Sequence, residues 1–461
     1  MNLYYSLLTT CVAVLLLLLW EAYSPVPTAP GPRIYTGRAN TNVNNNGTAG
    51  TAGTSTCPVD RHLFNNTRDR ISFFGSGINM GVGNNICVMY GSEDQIHTKI
   101  IIYRERGSPR VMPRNWREMR AREFGRKYYG FGWSYEFVEI EGDLPPTYNY
   151  EDMSNVWVTG VAYSRHINHF AENLQVLSHL AANPQCYGAV DHLLFPGYNR
   201  AAEYSHSNTM MDIFMSLLPR TKLWSNFSQM RCFKQVKLLG RIIISSGGGL
   251  FYNTREAEAY RQYTLTYLNI KKNQLFKELI DKNGVPSKIR IFFSERSARE
   301  ISNRQEVYDH INKHLGHVVN LRGFEMGKVS VEKQIQMASE TDIMIGAHGT
   351  NLHNCLFMEP GGVVIEITQY HVFTEHFSNL AVATGKTHYL VPCEKPDGWE
   401  QATARCKHMT AMQASGASSG CRKTMFMKMT VDVNWVEIII RKAIQNIVQL
   451  KYPQVGNWLL P

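Results

Sequence analysis

Residues 341 to 367 read TDIMIGAHGTNLHNCLFMEPGGVVIEI. Two apolar runs, 343–345 and 363–367, have the length and β-branched content of strands buried on both faces. Between them lie a small-residue corner around Gly346, Ala347, His348 and Gly349, an amphipathic segment read as a helix, and a turn at Pro360 to Gly362. Strand, corner, helix and strand make one repeat of a parallel α/β unit, in which loops at the carboxyl ends of strands line the ligand crevice. Glycines there let backbone approach a ligand, and the first N–H groups of a following helix favour an anion such as a diphosphate. His348, when protonated, would add a charge-assisted hydrogen bond. The plainer alternative is a tight glycine turn with one hydrogen-bonded histidine.

The same alternation extends on both sides of this stretch. Strands are read at 288–293 and 317–321, and helices at 256–268, 306–315 and 331–339. A polar, cysteine-bearing loop covers 394–423, and a last helix covers 432–448 with Asp432 or Asn434 available as its cap. Further upstream, strands at 99–103, 136–140, 156–161, 192–196 and 241–245 alternate with helices at 166–180 and 210–218. The pattern predicts an α/β protein with two doubly wound halves, 57–270 and 271–430, followed by a C-terminal helix and tail, 431–461.

Before these halves the chain changes character. Tyr4 to Trp20 is uncharged and largely apolar, long enough as a helix for roughly 25 Å of bilayer. We read 1–23 as a signal anchor, with a cleavable signal peptide as the alternative, since small residues follow at Ala22 to Ser24. Residues 24–56 are rich in Pro, Gly, Thr and Asn and form a flexible stem in this reading. Either leader delivers the rest to the secretory lumen. Acceptor triplets for N-glycosylation at Asn46, Asn65 and Asn226 agree with that address. Outside the apolar run, eight of the nine cysteines remain, an even set suited to structural disulfides, with Cys406 and Cys421 as a local pair. No pair has C-x-x-C spacing, so the cysteines suggest no zinc site. The 461-residue chain carries a formal net charge of +10, which suits anionic ligands. Its basic residues are dispersed, with no nucleic-acid motif.

Three segments could carry chemistry beside the opening corner. Ser294 to Arg304 follows the strand at 288–293 and offers Arg296, Arg299 and Asn303 at the same end of the sheet, where guanidinium groups could neutralise a diphosphate. Solvated surface is the competing explanation. Asn168 to Glu172 follows another strand, and His169 or Glu172 could take a proton from an attacking hydroxyl. Glu172 could equally be dipole compensation at a helix start. Glu366 lies within an apolar strand, where a carboxylate needs a partner; it could bind ribose hydroxyls or anchor a neighbouring loop. No two aspartates stand in Asp-x-Asp spacing, so no metal site is read, and a departing diphosphate would lean on arginines, His348 and helix N-termini.

Taken together, Val331 to Ala338, Asp342 to Asn354 and Leu356 to Ile367 closely resemble the signature of glycosyltransferase family 61, which includes plant β-1,2-xylosyltransferases and two O-linked GlcNAc-transferring groups, one acting on EGF domains and one on O-mannose. Ser294 to Asn303 is similar to that family's Ser-Arg…Arg…Asn segment, His169-Phe170-Ala171-Glu172 to its His-Phe…acidic motif, and Cys232 to Val236 to a further segment. The resemblance spans about 160 to 392 and is most specific over 331–367. Thr350 and Asn351 stand where the family usually has two small residues, and Glu295 intervenes between Ser294 and Arg296.

What the resemblance implies is a GT-B-like architecture, two Rossmann-like domains facing a cleft, the donor nucleotide held by the second. It implies inverting transfer of GlcNAc or xylose from a UDP-sugar to a glycan or glycoprotein hydroxyl, with no cofactor or obligatory metal. Arg296, Arg299 and His348 would contact the diphosphate, Gly349, Thr350 and Asn351 would shape the pocket, and His169 or Glu172 would face the acceptor. The setting would be a single-pass type II protein of the Golgi or endoplasmic reticulum membrane. The rival class is a non-catalytic glycan-binding or scaffold glycoprotein that keeps the fold.

Overall fold

In the computed structural model the described residues are 71–74, 80–90, 98–104, 117–122, 125–130, 135–141, 151, 153–158, 189–195, 205–225, 230–239, 254–270, 288–297, 299–370, 376–399 and 429–451. All of them fall within one compact unit, Gly53–Pro461. The apolar leader, the stem, the helix read at 166–180, the strand read at 241–245, the Cys406–Cys421 pair and the three glycosylation triplets lie outside the described residues. Among the described residues, no helix is long and apolar enough to cross a membrane.

The first half builds a ten-stranded mixed sheet rather than the all-parallel sheet expected from the sequence. Its strands are β1 (Ile71–Phe74), β2 (Met80–Tyr90), β3 (Thr98–Arg104), β4 (Arg117–Arg122), β5 (Gly125–Gly130), β6 (Tyr135–Glu141), β7 (Val156–Val158), β8 (His192–Phe195), β9 (Lys222–Ser225) and β10 (Arg231–Leu239). The order is β4-β5-β6-β3-β2-β10-β7-β8-β9, with β1 paired to β2. Strand β10 is the junction: it runs antiparallel to β2 and parallel to β7. From β10 through β9 the sheet is parallel, as read from the sequence. On the other side, β1–β2, β2–β3, β4–β5 and β5–β6 are antiparallel pairs. A disulfide joins Cys87 on β2 to Cys232 on β10, residues directly opposite in register. Two helices follow the parallel strands, α1 (Ser205–Ser216) and α2 (Thr254–Tyr267).

The second half is a five-stranded parallel sheet of β11 (Ile289–Glu295), β12 (Val319–Glu325), β13 (Ile343–Ala347), β14 (Val363–Thr368) and β15 (Thr387–Pro392). Every residue of β13 and β14 is buried, which explains why both read as unbroken apolar runs. Side chains alternate between the faces with period two. Ile289, Ile291, Phe293, Ile343, Ile345 and Val363 pack against α3 (Arg304–Leu315) and α6 (Val433–Lys451). Phe292, Met344 and Val364 pack on the other face, against α4 (Val331–Ser339), a 3-10 helix (Thr350–Phe357) and α5 (His376–Ala383), with α1 and α2 in the same core. A sheet covered on both faces is the doubly wound arrangement expected for this half.

The helices covering this sheet are specified locally. Buried Val307, Ile311 and Leu315 repeat every fourth residue of α3. On α6 the buried set is Val436, Ile439, Ile440, Ala443, Ile444, Ile447 and Val448, a continuous stripe. Asp432 caps α6 through Oδ1, accepting from Asn434 N at 2.9 Å and Trp435 N at 3.3 Å. Ser330 caps α4 by accepting from Lys333 N at 3.3 Å.

Candidate active site

The order of the second sheet, β12-β11-β13-β14-β15, reverses direction between β11 and β13. At such a switch point the loops after two adjacent strands lead to opposite faces of the sheet and leave a crevice at the strands' carboxyl ends. The loop after β11 carries Arg296 and Arg299, and the residue after β13 is His348. The two arginines converge on one atom: Arg296 Nη1 donates to the His348 carbonyl oxygen at 3.0 Å, and Arg299 Nη1 at 2.9 Å. A guanidinium carries five donors, so Arg296 has hydrogen-bonding capacity beyond this one bond to a carbonyl. Burial lowers the Arg296 pKa from its ordinary value.

The backbone accepts strain to reach this arrangement. Arg299 is a non-glycine residue at φ 63°, in the left-handed region. Gly349 has φ 148°, and a Cβ placed on it would lie 1.6 Å from Arg296 Nη1. Glycine is therefore needed at 349 both for conformation and to admit the guanidinium. The 3-10 helix begins at the next residue, not the α-helix read from the sequence.

Behind the corner lies a second relationship. Glu366 on β14 has no exposed surface, and its two carboxylate oxygens serve two histidines. His348 Nδ1 bonds Oε1, and His388 Nε2 on β15 lies 2.8 Å from Oε2. Burial alone would raise the Glu366 pKa; the hydrogen bonds from His348 and His388 outweigh it and hold the group at about 2. An ionised Glu366 fixes a proton on His348 Nδ1 and orients the ring, leaving Nε2 as the nitrogen a ligand would meet. Phe377 on α5 packs edge-on against the His348 ring at 5.3 Å.

Residues 169–365 match the family model described as Glycosyltransferase 61. This segment supports the resemblance to glycosyltransferase family 61. No curated protein matches the chain in a search of such proteins. The match starts at His169, contains Glu172, Arg296, Arg299 and His348, and stops one residue before Glu366.

The remaining candidates occupy different places. Asn303 is engaged by the backbone of a distant segment: its Nδ2 donates to Val431 O at 2.8 Å, and Val431 N donates to its Oδ1 at 3.1 Å. In this geometry it fastens the arginine loop. Glu366, likewise, anchors the His348 corner, the second of its two sequence readings. Asn351 Nδ2 reaches Glu295 O at 3.4 Å, so the two corners are tied side by side, and Thr350 opens the 3-10 helix. Glu295, intrusive in the arginine segment, is held by Tyr308 OH at 2.7 Å and Arg304 Nη1 at 3.0 Å, both on α3. His169 and Glu172 lie outside the described residues.

Two residues at this corner are given no role of their own by the sequence reading. His388 sits in a strand of mixed polarity, and only the parallel register, Val364 opposite His388 and Glu366 opposite Leu390, puts it on the same face as Glu366. Ser294, next to last in β11, has a buried hydroxyl with no hydrogen-bond partner among the described residues. A Cβ on Gly346 would lie 3.1 Å from both the Ser294 Cβ and Leu352 Cδ2, so a larger residue at 346 would crowd the serine.

Proposed function

We propose that this family 61 glycosyltransferase moves GlcNAc or xylose from a UDP-sugar to a hydroxyl of a glycan or glycoprotein, with inversion at the anomeric carbon. The observation that carries the reading is the convergence of Arg296, Arg299 and His348 at the switch point between β11 and β13. Breaking the bond between sugar and diphosphate leaves negative charge on UDP, and fixed cations beside it stabilise that charge without reorganising. Arg296 and Arg299 supply permanent charge. His348 Nε2, with Nδ1 held by Glu366, donates to a phosphate oxygen when the ring is protonated.

The acceptor hydroxyl must lose a proton as it attacks. His169 or Glu172, read in the first half of the chain, supplies that base in this reading, which keeps the proton-accepting group apart from the cationic donor wall. No metal is required for the leaving group, since the sequence lacks the Asp-x-Asp pair that would hold one and the arginines supply the charge instead. Anchored by its N-terminal apolar run, the enzyme would act in the lumen of the Golgi or endoplasmic reticulum.

The test is turnover. The protein is incubated with UDP-GlcNAc or UDP-xylose and candidate glycan acceptors, and UDP release is followed. Acceptor-dependent release from one of the two donors is expected. Release from neither removes both sugars from the proposal.

A further inference from the structure

On the face of the second sheet opposite α4 and α5, α3 and α6 bring together a cluster that sugar transfer does not use. His310 and His314 stand one turn apart on α3. Their rings are stacked, with centroids 4.3 Å apart and planes within 10°. Glu437, in the second turn of α6, places one carboxylate oxygen against both: Oε2 lies 2.6 Å from His310 Nε2 and 3.5 Å from His314 Nδ1. The three donor atoms all lie within 4.8 Å of one another. Arg441 Nε bonds the other oxygen, Oε1, at 2.7 Å and so fixes the carboxylate with Oε2 turned to the histidines.

We propose that His310, His314 and Glu437 form a zinc site that clips α3 to α6. Two imidazoles at i and i+4 with a carboxylate from a second helix are the donor set of a three-ligand zinc site, the fourth place left for water. With zinc–ligand bonds of about 2.0–2.1 Å, tetrahedral ligands stand about 3.3 Å apart. The two separations to Oε2 bracket that value, and the ion fits once the exposed His314 ring turns out of the stack to aim Nδ1 at it. A hydrogen bond between helices accounts for His310 alone. It does not account for a second imidazole that brings Nδ1 within 3.5 Å of the same oxygen. His314 is 40% exposed, which gives the ion a path and the open position a water. Arg441 holds the carboxylate as a supporting partner does around a bound metal.

The clip has a structural consequence for the arginine loop. Residues just before α6 form a strap across that loop: Ile301 bridges to Met429, Ser302 N donates to Met429 O at 2.7 Å, and Asn303 pairs with Val431. Helix α3 begins at Arg304, directly after the loop. An ion joining α3 to α6 therefore tightens the C-terminal end of the loop that carries Arg296 and Arg299. It acts on fold stability and takes no part in the transfer step.

Cobalt serves as the spectroscopic probe and zinc as the competitor, on the full-length chain. One cobalt ion per chain with visible ligand-field bands, displaced by zinc, is expected, together with a zinc-dependent rise in Tm of a few degrees. His314→Ala removes an exposed ligand while leaving the His310–Glu437 bond, so it keeps the fold; it should weaken cobalt binding by at least about 100-fold. His310→Ala should do the same. Absence of bands, or bands unchanged in both variants, overturns the proposal.

Discussion

Arg299 adopts a left-handed backbone at φ 63° and donates Nη1 to the carbonyl oxygen of His348 at 2.9 Å. The two residues belong to loops separated by 49 positions, so the bond exists only because β11 and β13 are neighbours in the sheet. A strained residue held by a long-range bond at the carboxyl end of a parallel sheet supports the proposed ligand corner.

Gly349→Ala tests how closely that corner is packed. The new Cβ would overlap Arg296 Nη1, and φ 148° is strained for alanine. The guanidinium must move or the backbone must shift. We expect UDP affinity to fall by at least about 10-fold and stability by about 1–3 kcal/mol, measured by calorimetry and by denaturant unfolding.

Glu366 sets an acid limit on stability. With a folded pKa of about 2 against an ordinary value of about 4.3, its ionised form stabilises the fold fully above about pH 4.3. That contribution is lost as pH falls toward 2, because the unfolded chain takes up the proton first. In Tm measured against pH, Glu366→Gln should flatten the profile in this window and lower stability at neutral pH by a few kcal/mol, on the order expected for breaking a buried charged network. An unchanged acid limb in the variant would contradict the role assigned to this carboxylate.

Lys386 works against the fold at neutral pH, and its slope with pH has the same sign at the other end of the range. It is buried beside Arg261 and Cys355, and burial, the largest cause, pushes its pKa down to about 7. Between pH 7 and about 10.4 the unfolded chain therefore holds a proton that the folded chain lacks, so stability rises with pH across that range. Below pH 7 burying the charge costs the fold its full penalty. Lys386→Met should stabilise the protein near pH 7, by on the order of a few kcal/mol, and remove the rise toward pH 10. Unfolding in denaturant at a series of pH values checks both.

Chelation separates the two uses of positive charge in the molecule. Activity at a temperature well below the chelated protein's Tm should persist in EDTA on the proposed assignment, in which arginines rather than a metal hold the leaving diphosphate. Strict dependence on added manganese would contradict this.

The second half was legible in the sequence for a physical reason. Strands buried on both faces, such as 343–345 and 363–367, are continuous apolar runs, and α3, α4 and α6 show their core stripes directly. In the first half β10 reads Arg-Cys-Phe-Lys-Gln-Val-Lys-Leu-Leu, and nothing local says that it pairs antiparallel with β2 across 145 residues. Arg296, Arg299 and His348 could be found because they follow strands. The partners of Asn303 and Glu366 could not: Val431 lies 128 positions away, and His388 is placed by register alone.

Titration of the purified protein with UDP in a calorimeter, wild type beside Arg296→Ala, puts the diphosphate corner to the test. Wild type should bind UDP, and the variant should bind at least about 10-fold more weakly, since a charge-assisted contact contributes about 1.5–3 kcal/mol. Equal affinity in the two proteins, or no binding by either, would contradict the assignment of the β11–β13 crevice as the donor site.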